Sequence, residues 1–119
     1  MKTTLVIGAS TNSEKYSNMA IKLLNKTKHN VVALGIKDGE VDGIKIHTQL
    51  TQFKNIDTVT LYVAPKHQPP YYNYILNLKP TRIIFNPGTE NAELITLANT
   101  NNIIVQQACT LVLLKTGQY

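Results

Sequence analysis

Apolar residues fall along this chain in short runs, separated by polar stretches that carry glycine or proline. The run Thr4-Leu5-Val6-Ile7 is rich in β-branched residues and halts at Gly8-Ala9-Ser10, as a short buried strand does. Polar residues then hold from Thr11 to Ser17, after which Met19, Ala20, Leu23 and Leu24 recur at helical spacing. Strand, loop and amphipathic helix therefore follow one another. Thr11 and Glu14 have the spacing of a capping box, and Ser13 and Ser17 are further candidates for the helix start. Val31-Val32-Ala33-Leu34 gives the second strand, stopped at Gly35.

From Lys37 to Lys54 the pattern weakens: Asp38-Gly39 and Asp42-Gly43 are turn dipeptides, and Ile44-Lys45-Ile46 alternates like a short, half-exposed strand. A further strand runs from Thr58 to Val63 and ends at Ala64-Pro65. Pro69-Pro70 fit a helix entrance, with Tyr71, Ile75 and Leu76 continuing the helical face. Arg82-Ile83-Ile84-Phe85 is the next strand and closes on Asn86-Pro87-Gly88. Glu90 and Glu93 suit a helix N-terminus, and Leu94, Leu97 and Ala98 supply that helix with its apolar face. Ile103-Ile104-Val105 is the last strand, and Leu111-Val112-Leu113-Leu114 packs the following segment back onto the core. Strands alternating with helices predict right-handed βαβ units and a mostly parallel sheet covered on both faces. The expected fold is α/β, a single doubly wound Rossmann-like domain over residues 1–119.

Composition narrows the class. A chain of 119 residues allows one domain, and 43% hydrophobic with only 16% charged residues describes a globular rather than a disordered chain. No apolar run reaches the roughly 18–20 residues that span a bilayer, and no signal-peptide pattern opens the chain. A single cysteine excludes an intramolecular disulfide framework and a cysteine-rich zinc site. The expectation is a soluble, cytoplasmic domain with no membrane partner. The net charge of +5 comes from 12 basic and 7 acidic residues, with lysines dispersed from Lys2 to Lys115 and one arginine, Arg82. Nucleic-acid binders cluster such charge on one face and lean on arginine, so no nucleic acid is expected. Such a charge also suits an anionic lipid surface or a phosphorylated small molecule, while the average lysine here reads as a solvated surface group.

In open α/β sheets ligands sit beyond the carboxyl ends of the strands, where the strand order reverses. Gly8 permits a tight turn there, and Ser10 and Thr11 offer hydroxyls and amides near a helix start, which favours a phosphate. Small residues in such a turn also serve close packing. The dinucleotide fingerprint G-x-G-x-x-G would need glycines at Ser10 and Ser13, and neither is one. Where NAD enzymes carry an acid after the second strand, this chain has Gly35-Ile36-Lys37, a lysine suited to a phosphate on the adenosine ribose. No P-loop sequence is present.

Gly8-Ala9-Ser10, Tyr16-Ser17-Asn18-Met19-Ala20, Asn86-Pro87-Gly88-Thr89-Glu90 and Ala108-Cys109-Thr110-Leu111-Val112-Leu113-Leu114 together resemble the small CoA-binding protein family. That family is similar to the CoA-binding domain of succinyl-CoA synthetase alpha subunits, standing alone. The resemblance covers nearly the whole chain. It implies a pyrophosphate at Gly8, Ser10 and Thr11, with Tyr16 and Ser17 at the helix entrance. It further implies Lys37 at the adenosine phosphate, Pro65 against the adenine, and Asn86, Pro87 and Gly88 along the pantetheine arm. The synthetase-like pattern has Asn-Pro-Lys where this chain has Gly35-Ile36-Lys37, a departure that bears on the direction of the lysine. Cys109 follows the last strand, where the thiol of coenzyme A could reach it; the competing role is that of a small buried hydrophobe.

Catalysis finds little support. His29, His47 and His67 are not spaced as a metal pair, and no G-x-S-x-G elbow is present. Tyr71, Tyr72 and Tyr74 read as one packed and two exposed positions of a helix rather than a stacking platform. The sequence thus points to non-catalytic binding of coenzyme A or an acyl-CoA, as carrier or sensor. The alternative is an NADP-dependent oxidoreductase.

Overall fold

The first strand, β1 (Thr3–Ile7), is buried along its whole length, as the central strand of a sheet covered on both faces must be. In the computed structural model, which describes residues 2–119, it leads into helix α1 (Tyr16–Lys26) and strand β2 (Asn30–Leu34). A hairpin of β3 (Gly39–Val41) and β4 (Ile44–His47) follows, then β5 (Ile56–Leu61). Two single 3-10 turns, Pro65–His67 and Pro69–Tyr71, precede α2 (Tyr72–Leu78). The chain ends with β6 (Arg82–Phe85), α3 (Ala92–Thr100), β7 (Ile104–Gln107) and α4 (Thr110–Lys115).

The strands form one sheet in the order β3-β4-β2-β1-β5-β6-β7. Every pairing is parallel except β3 with β4. Alternate residues of β1 separate two cores. Leu5 and Ile7 join Ile75 and Leu78 of α2 and Leu94 and Ala98 of α3 on one face. Val6 joins Ile21 and Leu24 of α1 on the other, where Leu114 of α4 also packs. The expected α/β, doubly wound domain is the observed one.

Several local expectations change. The stretch after Gly35 contains the extra strand β3, because Asp42-Gly43 makes a two-residue hairpin with φ of 48° and 81° at the two positions. The capping box is not made: Lys15 is the N-cap of α1 and contributes no side-chain bond, and Ser17 lies inside the helix. Instead the Glu14 amide donates to Asn12 Oδ1 at 2.9 Å and the Asn12 amide to Ser10 Oγ at 3.1 Å, which keeps residues 10–14 in a turn. β5 starts at Ile56 and ends at Leu61, two residues before the expected end at Val63. β7 begins at Ile104 rather than Ile103, because the Ile103 amide closes the end of α3 on Ala98 O at 2.9 Å. Of the two acids near α3, only Glu93 lies in its first turn; Asn91 is the N-cap. The core face of α2 is Tyr74, Ile75 and Leu78, with Tyr71 and Leu76 half-buried beside it.

Candidate functional site

The strand order reverses at β1, which has β2 on one side and β5 on the other. A crevice therefore opens beyond its carboxyl end, where the loops after β1, β2, β5, β6 and β7 gather at one edge of the sheet. Gly8 begins the first loop with φ of 99°, and a Cβ there would lie 2.8 Å from the carbonyl oxygen of Tyr62. No side chain fits that position without displacing β5 from β1. A Cβ on Gly35 would collide with Ala9 O in the same way.

This packing decides which amides a ligand can use. Gly8 and Ala9 both donate to Leu34 O, at 2.9 and 3.0 Å, so their N–H groups hold the loop to β2. The next two amides, of Ser10 and Thr11, donate to nothing among the described residues. Helix α1 adds its own open donors, since its N-terminus has neither a side-chain cap nor an acid in the first turn. Tyr16 stands exposed at that entrance, and Ser17 is buried behind it. Together these groups are arranged for an anion.

The loop after β2 is drawn to the same place. A Cβ on Gly39 would lie 2.5 Å from Thr11 Cγ2, so residues 35–39 fold against the loop after β1. Lys37 and its neighbour Ile36, 88% exposed, occupy the crest of that loop. Pro65 is half-buried and opens the first 3-10 turn after β5. Pro87 and Gly88 are exposed after β6, and the Gly88 amide donates to Glu90 Oε1 at 2.9 Å. Cys109 is a free, half-buried thiol at the N-cap of α4. The residues assigned a ligand role from the sequence lie along this one edge, in two groups: Gly8 to Ser17 with Lys37 around β1 and β2, and Pro65, Asn86 to Gly88 and Cys109 around β5 to β7.

Asn86 differs from its neighbours because its side chain turns into the fold. Its Nδ2 donates to Thr60 Oγ1 and Leu61 O, and its Oδ1 accepts from the Thr110 amide. Gln68, which the sequence did not mark, has a similar duty. It donates to Val63 O and Thr89 O at 2.9 and 2.8 Å and accepts from Asn91, tying the loop after β5 to the loop after β6.

Two further residues had no role assigned from the sequence. Asn18 is 2% exposed and donates to Ser10 O at 2.9 Å, yet its Oδ1 is buried without a partner. Tyr62 also has a buried hydroxyl without a partner, and burial pushes its pKa up to about 12. The signal for Asn18 was its register: it shares the inward helical stripe with Ile21, three residues on. Two of the three histidines have local partners, and His67 is exposed. His29 bonds Thr27 and meets the Tyr119 ring edge-on, and His47 meets Phe53. Tyr74 donates to Thr51 O and Tyr72 accepts from Asn91, so the tyrosines form no free platform.

The domain is doubly wound, and its switch point carries open amides and a lysine-bearing loop, donors suited to an anion. The model of the CoA binding domain family matches residues 2–115, and the chain belongs to that family. A crystal structure of an uncharacterized protein is 44% identical, covers 100% of this chain and 98% of its own, and superposes with a TM-score of 0.96. A protein of Thermus thermophilus, described as cell-free ID.343, shares the fold at 17% identity and a TM-score of 0.86, covering 99% of this chain and 90% of that one. A hypothetical protein from Pyrococcus horikoshii OT3 does so at 24% identity and 0.84, covering 92% and 78%. No curated protein matches the sequence. No helix among the described residues is long and apolar enough to cross a membrane.

Proposed function

We propose that this chain binds coenzyme A, free or as a thioester, in the crevice at the carboxyl ends of its strands, and serves as a carrier or sensor rather than an enzyme. One observation carries the reading within the family: the loop bearing Lys37 folds against Thr11, beside the open amides of Ser10 and Thr11. Coenzyme A has a pyrophosphate and a separate ribose phosphate, and these two neighbouring loops offer a donor set for each. The pyrophosphate meets Ser10, Thr11 and the entrance of α1 at Tyr16 and Ser17. Lys37 pairs with the ribose phosphate, and Pro65 lies against the adenine. The pantetheine arm then crosses Pro87 and Gly88 toward Cys109, over the root that the buried Asn86 holds.

The non-catalytic role rests on the chemistry of the edge. Among the described residues no histidine or carboxylate bonds to Cys109 or to a serine hydroxyl, and the two threonine hydroxyls that have such a partner, Thr27 with His29 and Thr58 with Asp57, lie at the end of α1 and near the start of β5, away from the crevice. The free cysteine fits a reducing, cytoplasmic setting. A thermal-shift panel of CoA, acetyl-CoA, NADP and ATP tests the assignment, since a ligand at 100 times its Kd adds about 2.7 kcal/mol of stability. CoA and acetyl-CoA should raise the melting temperature most. A larger rise with NADP would favour the oxidoreductase reading instead.

A further inference from the structure

Two apolar runs are only half used by the core. On α1, Ala20, Ile21 and Leu24 are buried, whereas Met19 is 38% exposed and Leu23 half-buried on the adjoining stripe. On α4, Leu113 is buried, Leu111 is half-buried and Val112 is 55% exposed. The residues left over meet one another. Met19, Lys22, Leu23 and Lys26, at helical spacing on α1, face Leu111 and Lys115 of α4 across a groove of about 480 Å³.

The groove begins within a helical turn of the candidate site, since Met19 lies three residues after Tyr16 and Leu111 two after Cys109. Both helices start at the carboxyl edge of the sheet, so Met19, two residues past Ser17, and Leu111, two past Cys109, stand at its mouth. From there it runs toward Lys26 and Lys115. The seven residue-to-residue steps of helix from Met19 to Lys26 span about 10 Å at roughly 1.5 Å each. We propose that this groove takes the acyl tail of an acyl-CoA held at the strand edge, so that the ligand is a medium-chain thioester. The proposal rests on the coenzyme A reading above.

The lining favours this occupant. Met19, Leu23 and Leu111 give an apolar floor, the stems of Lys22, Lys26 and Lys115 extend it while their amines remain in water, and Asn25, bonded to Asp42 O, borders it with Asp42. A second copy of the chain is disfavoured, because each groove carries three lysines against one carboxylate, Asp42, and two of them face to face would repel.

The test is calorimetric titration of CoA, butyryl-CoA, octanoyl-CoA and octanoate into the wild type, Leu23→Glu and Leu111→Glu, with melting curves to establish that both variants fold. In the wild type octanoyl-CoA should bind at least about tenfold tighter than CoA, with butyryl-CoA between, because methylenes leave water. Each glutamate variant should remove that gain and leave CoA affinity unchanged. Equal affinities for CoA and octanoyl-CoA, or a gain that survives both variants, would overturn the proposal while sparing CoA binding. Octanoate binding alone, without a gain for octanoyl-CoA, would also overturn it, as would a dimer that both variants dissolve. If neither CoA nor either thioester binds, the coenzyme A reading itself fails and takes this proposal with it.

Discussion

Asn86 accepts the backbone N–H of Thr110 through Oδ1 at 2.8 Å, so the end of β6 holds the first residue of α4. The same side chain donates to Thr60 Oγ1 at 2.7 Å and to Leu61 O at 2.8 Å, and Thr60 shares a 2.7 Å bond with Thr110. One buried carboxamide thus fixes three segments beneath the crevice: the ends of β5 and β6 and the start of α4. The loop that follows is therefore held at its root and exposed at Pro87, Gly88 and Glu90.

Asn86→Ala should cost at least about 2 kcal/mol, because it leaves a buried amide and a buried carbonyl without partners. Urea denaturation measures this. A loss below about 0.5 kcal/mol would mean that water or a neighbour takes over those bonds.

What the sequence revealed, and what it hid, follows from the range of each interaction. β1, β2 and β6 were legible because each is a short apolar run bounded by glycine or proline, a signal contained in a few adjacent residues. The strand β3 was not, since Gly39-Glu40-Val41 has one buried residue and owes its pairing to the turn at Asp42-Gly43. The residues of the first loop were legible as small residues after a strand. The loss of the Gly8 and Ala9 amides to Leu34 was not, for it depends on a neighbour 26 and 25 positions away. Met19 and Leu23 looked like core beside Ala20 and Leu24. Periodicity alone cannot separate two adjoining stripes when only one meets the sheet.

The hydroxyl of Tyr62 gives a prediction with a defined sign. It is buried without a partner, so Tyr62→Phe should be neutral or stabilising, by up to about 1 kcal/mol at pH 7. Burial also raises the folded-state pKa to about 12, against 10.0 for the ordinary side chain. Below pH 10 both states keep the proton; between 10 and 12 the unfolded chain loses it first, so stability falls as pH rises through that window. Tyr74, also pushed up to about 12 by burial, acts in the same direction. Denaturation at pH 9 to 12 should show the fall, and Tyr62→Phe should make it shallower. A flat wild-type profile would contradict the burial of both phenols.

The carrier or sensor reading predicts no turnover by the isolated chain. Incubation with NADPH and a panel of carbonyl compounds, or with an acyl-CoA and ATP, should give no protein-dependent change over many equivalents. Absorbance at the nicotinamide band and chromatography of the thioester report on each. Sustained multiple turnover in either assay would make the protein an enzyme.

The pairing of Lys37 with the ribose phosphate is tested most directly by titration calorimetry of CoA against 3′-dephospho-CoA, on the wild type and Lys37→Glu. CoA should bind the wild type more tightly than the dephospho form by roughly 1.5 kcal/mol or more, about tenfold, through a charge-assisted bond. That preference should shrink with added salt. In Lys37→Glu it should vanish or invert, with the affinity for dephospho-CoA little changed. Equal affinity of the wild type for both ligands would take Lys37 out of the site, and no binding of either would contradict coenzyme A as the ligand.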